Sequence, residues 1–239
     1  MYKEKILITS NDVDHHLKLK ISSLFRFIQQ VSTNHSEKLG FGRSVTNDQG
    51  LAWVITRTHI EIYDLPEMND EIYVATHPGE QNKFIFPRYY MVYDKHGKLL
   101  VSCSSLWVVI DSNTRRVIVK PFGDKIYKGE KHKDDIPLPD RVNLDEVSLV
   151  QERKVLYSDI DLNGHMNNVK YIEYMIDLHD KSFYDKYTVS DILINYEKEC
   201  HDSDIVKLYM NDNINCSIKG EVNDVTSFSA IIKFKERKA

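Results

Sequence analysis

Cysteine is scarce in this chain of 239 residues: Cys103, Cys200 and Cys216 are the three present, an odd number with no metal-ligand spacing. That argues against a disulfide framework or zinc site, and reads as three reduced thiols. Also missing is any excess of positive charge. Lys and Arg number 32 against 36 Asp and Glu, a formal net charge of -4, and basic residues are scattered among acidic ones. Nothing here attracts nucleic acid in general, so an anionic partner must meet a local patch. No apolar run approaches the length of a membrane span. The N-terminus, Met1-Tyr2-Lys3-Glu4-Lys5-Ile6-Leu7-Ile8, lacks the apolar stretch and small-residue cleavage site of a secretion signal. Cytoplasmic residence is the default expectation.

What is present supports one large or two small domains, since 41% of residues are hydrophobic over a length ample for a core. The most informative stretch is Asp159-Ile160-Asp161-Leu162-Asn163-Gly164-His165-Met166-Asn167-Asn168. It sets an imidazole, two carboxylates and three carboxamides at the mouth of an apolar helix, a costly place for polar groups that have no task. Asn163 and Asn167 suit a helix N-terminus and Gly164 lets the chain turn. Backbone N–H groups near Asn167 and Asn168 are then free to face a ligand oxygen, the geometry of a carbonyl-polarising site. Blander roles stay open: His165 and the asparagines as caps, Asp161 as an Asx-turn residue.

The chain reads as two halves on one plan. Asp12-Val13-Asp14-His15-His16 precedes a helix predicted over 21–39, apolar except for a stripe of Ser22, Arg26, Gln29 and Thr33, and Gly40 stops it. The second half repeats this, with Asp159 and Asp161 before a helix carrying Val169, Tyr171, Ile172, Tyr174, Met175, Ile176 and Leu178. Asp12 lies on Asp159 and Asp14 on Asp161 at an offset of 147, and 59–74 lies on 193–208 at an offset of 134. Strand-like runs follow each helix: 51–63, 70–76, 84–94 and 99–111, then 189–199, 204–211, 214–222 and 226–235. A buried helix followed by an antiparallel sheet, twice, is an α+β plan. Residues 126–147, rich in charge and proline, read as a linker between domains at 1–125 and 148–239.

These residues resemble the acyl-acyl-carrier-protein thioesterases of bacteria and plant plastids. The resemblance rests on Asp161-Leu162-Asn163-Gly164-His165-Met166-Asn167-Asn168, on Tyr196-Glu197-Lys198-Glu199-Cys200, on Trp107-Val108-Val109 with Thr114-Arg115-Arg116, and on Ile60-Glu61-Ile62 after Trp53. It implies a tandem hot-dog fold, each half an antiparallel sheet wrapped around a long central helix. It implies hydrolysis of fatty-acyl thioesters of acyl carrier protein, ending chain elongation, with Asp161, Asn163, His165 and Glu199 as the catalytic set and Cys200 matching a family cysteine once proposed as a nucleophile. In the first half His16, Lys18, Leu65 and Pro66 stand where Asn163, His165, Glu199 and Cys200 stand in the second. That half carries no catalytic set and is expected to shape the acyl cavity. The plant members' transit peptide is missing, which favours a bacterial-type cytoplasmic protein.

On that footing Glu199, raised in pKa by an apolar cleft, activates water while His165 and Asn163 position it or hold the carbonyl. The covalent alternative makes Cys200 a nucleophile, yet an adjacent Glu199 raises a thiol's pKa, so water is preferred. No metal or redox cofactor is implied, and the substrate brings its own phosphopantetheine arm. The basic set Arg115, Arg116, Lys120, Lys125, Lys128, Lys131 and Lys133 is either plain solvated surface or a patch for the acidic carrier. An acyl-coenzyme-A thioesterase and a non-catalytic acyl-binding hot-dog module remain alternatives, and homodimer formation stays open. Trp53 and Trp107 read as core residues.

Overall fold

The first apolar helix forms as α1, Ile21–Lys38, in the computed structural model, which describes residues 1–119, 121–122 and 136–237. It buries Leu24, Ile28 and Val31, spaced to fall on one face. Its end is a Schellman motif: Gly40 N–H donates to Glu37 O and Phe41 N–H to Ser36 O, both at 3.0 Å. Gly40 at φ +74° takes the left-handed conformation that this closure needs. The second helix, α3, is Asn168–Ile176, shorter than the long helix expected. Asp180, with extended backbone, accepts the Phe183 N–H at 3.0 Å and caps a new helix α4, Lys181–Lys186, so the chain leaves helical geometry before Leu178. A short helix α2, Arg43–Asp48, follows α1.

Two units follow, Met1–Pro139 and Asp140–Ala239. In the first, β1 (Tyr2–Leu7), β2 (Leu51–Ile62), β3 (Glu71–Pro78), β4 (Phe86–Asp94) and β5 (Leu99–Asp111) pair antiparallel in the order β1-β3-β4-β5-β2. In the second, β6 (Ser148–Lys154), β7 (Tyr187–Tyr196), β8 (Ile205–Met210), β9 (Cys216–Val222) and β10 (Val225–Glu236) repeat that order as β6-β8-β9-β10-β7. Each unit is the α+β plan, one apolar helix with a short second helix after it and one antiparallel sheet. The strands β1 and β6 were not predicted. Half of Tyr2–Leu7 is charged, and β6 lies almost wholly exposed, so neither shows an apolar alternation strong enough to read. Of the linker predicted over 126–147, residues 126–135 lie outside the described residues, and 136–147 carry neither helix nor strand.

The duplication extends to individual hydrogen bonds. Asp12 Oδ2 accepts the Thr9 N–H at 3.0 Å, and Asp159 Oδ2 accepts the Leu156 N–H at 3.0 Å. Lys20 N–H donates to Asp12 O at 2.9 Å, and Asn167 N–H to Asp159 O at 2.8 Å. Asp14 N–H reaches Lys18 O and Asp161 N–H reaches His165 O, both at 2.8 Å. Leu19 N–H donates to Pro66 O at 2.9 Å where Met166 N–H donates to Cys200 O at 2.8 Å. Leu17, at φ +61°, and Gly164, at φ +81°, hold the same left-handed turn position. Both units therefore build one backbone corner joining the loop before the helix to the loop before β3 or β8.

Candidate active site

The corner in the second unit is built from its carboxylates. Asp161 Oδ1 accepts the Asn163 N–H at 2.7 Å and the His165 N–H at 3.5 Å, an Asx-type turn that aims His165. The Met166–Cys200 backbone bond then draws the loop carrying Glu199 alongside. As a result His165 Nε2 lies 3.4 Å from Glu199 Oε2. Their side chains are 24% and 34% exposed, so solvent and a substrate both have access. Glu199 was expected at the end of a strand in an apolar cleft. Instead β7 stops at Tyr196, because Glu197 and Lys198 N–H groups both turn onto Ser227 O, at 2.8 and 3.0 Å, and Glu199 stands on the loop beyond, one-third exposed.

The other predicted residues divide by role. Asn163 is exposed and its Nδ2 donates to Asp161 Oδ2 at 3.3 Å, so its described bonds support the turn. Asn167 caps α3, accepting the Val169 N–H at 2.9 Å. Its own N–H is committed to Asp159 O, which corrects the expectation that it faces an oxyanion. The Asn168 N–H has no partner among the described residues and is the donor left at the start of α3.

Cys200 faces inward. Its side chain is fully buried, with Sγ 2.9 Å from Ser227 Oγ. Ser227 donates its one hydroxyl proton to Lys198 O at 2.6 Å, so the thiol proton is the one shared between sulfur and Ser227 oxygen. Burial pushes the thiol above its ordinary pKa, outweighing the Ser227 and Tyr171 hydrogen bonds that favour the thiolate. The Cys200 N–H donates to the Tyr171 hydroxyl at 3.1 Å, which ties the loop to α3.

One neighbour was missed. His201 packs its ring edge-to-face on His165 with centroids 5.0 Å apart, and donor atoms of His165, Glu199 and His201 all lie within 4.8 Å of one another. The signal was available in Glu199-Cys200-His201, since in extended chain residues two apart share a side. Among the described residues, these three side chains form a group suited to a metal ion. In the first unit the matching positions form an ordinary ion pair: Lys18 Nζ lies 2.9 Å from Glu67 Oε1 and donates to Leu65 O at 3.2 Å. Of the predicted basic patch, Arg115 and Arg116 follow β5, and Lys120, Lys125, Lys128, Lys131 and Lys133 lie outside the described residues. Trp53 Nε1 donates to Phe41 O and Trp107 Nε1 to Ser105 Oγ, both at 2.7 Å.

Sheet order, helix placement and the histidine–glutamate corner define a tandem hot-dog protein with a polar site in its second half. Comparison with known proteins gives the family. Residues 1–124 match the model of the acyl-ACP thioesterase N-terminal domain and residues 142–236 that of the C-terminal domain; the chain belongs to the acyl-ACP thioesterase family. A chloroplastic dodecanoyl-[acyl-carrier-protein] hydrolase of Cinnamomum camphora is 25% identical over 84% of this chain and 56% of its own length. A chloroplastic oleoyl-acyl carrier protein thioesterase of Arabidopsis thaliana is 25% identical over 86% of this chain and 62% of its own length. The chain thus spans under two thirds of these relatives. The crystal structure of an acyl-ACP thioesterase from Bacteroides thetaiotaomicron has the same fold, with a TM-score of 0.88 and 23% identity over 98% of this chain and 97% of that one. Among the described residues no helix is long and apolar enough to cross a membrane.

Proposed function

We propose that this chain hydrolyses the thioester joining a fatty acyl group to acyl carrier protein, releasing free fatty acid and the carrier's thiol and so ending chain elongation. The observation that carries the reading is the 3.4 Å approach of His165 Nε2 to Glu199 Oε2 on two loops tied together at Met166 and Cys200. Family membership supports it. A carboxylate has two oxygens, so with one held toward His165 the other accepts a proton from water as the water oxygen adds to the thioester carbon. The negative charge that develops on the carbonyl oxygen is met by the start of α3, where Asn168 offers its N–H. Collapse of the tetrahedral intermediate expels the pantetheine thiolate, which takes the proton from Glu199. Neither a redox partner nor a group donor is required for that balance. Asp161 acts through the backbone, holding the turn that aims His165.

The buried Cys200 thiol, bonded to Ser227, favours water over a covalent acyl-enzyme. The test is steady-state hydrolysis of acyl-carrier-protein thioesters across a range of chain lengths by wild type and Glu199→Gln. A loss on the order of 100- to 10,000-fold in kcat supports the general base; full activity in the variant overturns it. Presenting one acyl chain on acyl carrier protein and on coenzyme A separates the two carriers. An acyl thioester that stays bound and intact makes the protein a binding module instead.

A further inference from the structure

We propose that His165, Glu199 and His201 form a binding site for one divalent transition-metal ion of the zinc type, and that occupancy blocks hydrolysis. The blocking half rests on the function proposed above; the binding half does not.

The geometry of the three donors carries the inference. In tetrahedral coordination with metal–ligand bonds of about 2.0–2.2 Å, neighbouring donor atoms stand roughly 3.3–3.5 Å apart. His165 Nε2 and Glu199 Oε2 already stand at 3.4 Å, so this pair spans one edge of such a tetrahedron without moving. The third donor, on His201, lies within 4.8 Å of the others on a side chain that is 58% exposed and free to close the remaining gap by rotation. Two imidazoles and one carboxylate suit zinc, copper or nickel and not magnesium or calcium, which require mostly oxygen.

A supporting partner is also in place. Asp204 Oδ2 accepts the His201 N–H at 2.8 Å and lies 3.8 Å from His201 Nδ1. At 3.8 Å the carboxylate does not hold the ring, but rotation of His201 can bring Nδ1–H onto it and leave Nε2 as the ligand, the usual arrangement around a metal-bound histidine. Competing soft ligands are remote from solvent, because all three cysteines are buried. The matching corner of the first unit carries Lys18, whose ammonium takes the metal's place against Glu67. The first unit's corner therefore does not repeat the site. Bound metal occupies the lone pairs of both His165 Nε2 and a Glu199 oxygen, the two groups that the proposed reaction needs free.

The binding test is titration of chelator-free protein with zinc chloride by calorimetry, for wild type, His165→Ala and His201→Ala, with unfolding temperatures measured without metal to confirm folding. Wild type is expected to bind a zinc ion whose affinity either substitution weakens by about 100-fold, since loss of an outer-sphere partner alone costs 10- to 100-fold. Absence of binding in wild type, or equal binding in the folded variants, overturns the site. For the second half, zinc is expected to inhibit wild-type hydrolysis reversibly by chelator, while His201→Ala, normalised to its own zinc-free rate, needs about 100-fold more zinc. A rate unchanged or raised by bound zinc overturns the block. If no acyl thioester is hydrolysed at all, the proposed function fails, and the calorimetric result still decides the metal site.

Discussion

Cys200 stands one residue from the proposed base and faces the opposite way. Burial raises the pKa of all three thiols, that of Cys216 to about 11. The native protein should therefore release no colour with a thiol-reactive disulfide at pH 8, and three equivalents once denatured; a fast native equivalent removed by Cys200→Ala would revive the covalent route. For the same reason Cys200→Ala should keep hydrolysis within about tenfold, as expected where a side chain packs without reacting. Asp161 offers a finer distinction. Its carboxylate acts as a hydrogen-bond acceptor for the turn, and an asparagine carbonyl oxygen can accept the same N–H groups. Asp161→Asn should thus retain most activity, with Asp161→Ala losing kcat; equal loss in both would assign Asp161 a charge role instead.

A line of contacts through the second unit links the sheet to the loop carrying Glu199. Gly220 on β9 pairs with Phe228 on β10, and a Cβ at Gly220 would stand 2.0 Å from the Phe228 ring. That ring packs edge-on to Tyr171, whose hydroxyl holds the Cys200 N–H. Gly220→Ala should destabilise by about 1–3 kcal/mol through overpacking, read in urea unfolding, and should also lower kcat by displacing Tyr171; unchanged stability would mean that the ring has room to move. At this scale the sequence was most legible where burial imposes a period. The core faces of α1 and α3 showed the helical repeat, and β5 was read to its observed ends at Leu99 and Asp111. The sequence was least legible where charge interrupts the pattern, at β1 and β6, and where a cap overrides an apolar run, at Asp180. Of the site, Asp161, His165 and Glu199 were named from the motif resemblance. His201 was passed over because it sits beyond the motif and its ring partner, His165, comes from the loop of another element.

Across the molecule, Asp12 and Asp159 hold matching positions and respond to acid alike. Burial by itself would raise both carboxyls. For Asp12 the Thr9 bonds and Arg26, and for Asp159 the Leu156 N–H, Tyr174 and Lys170, more than offset it and hold the folded pKa below the ordinary value. A lowered folded pKa means that the unfolded chain binds protons first. Stability from these groups is then complete above about pH 4 and falls away as pH drops through the folded values. Asp12→Asn with Asp159→Asn should lower stability at pH 7 and flatten its loss below about pH 4; an unchanged acid limb would sink the assignment.

The two corners close through main-chain bonds and two aspartates each, whatever occupies the positions of His165, Glu199 and His201. One copy can therefore lack the donor set and keep its scaffold, and in the first unit Lys18 instead ties the corner, paired with Glu67 and bonded to Leu65 O. Transplanting the donor set by Lys18→His, Leu65→Glu and Glu67→His would meet one obstacle, because Leu65 is buried where Glu199 is one-third exposed, and a carboxylate there would have to leave the core.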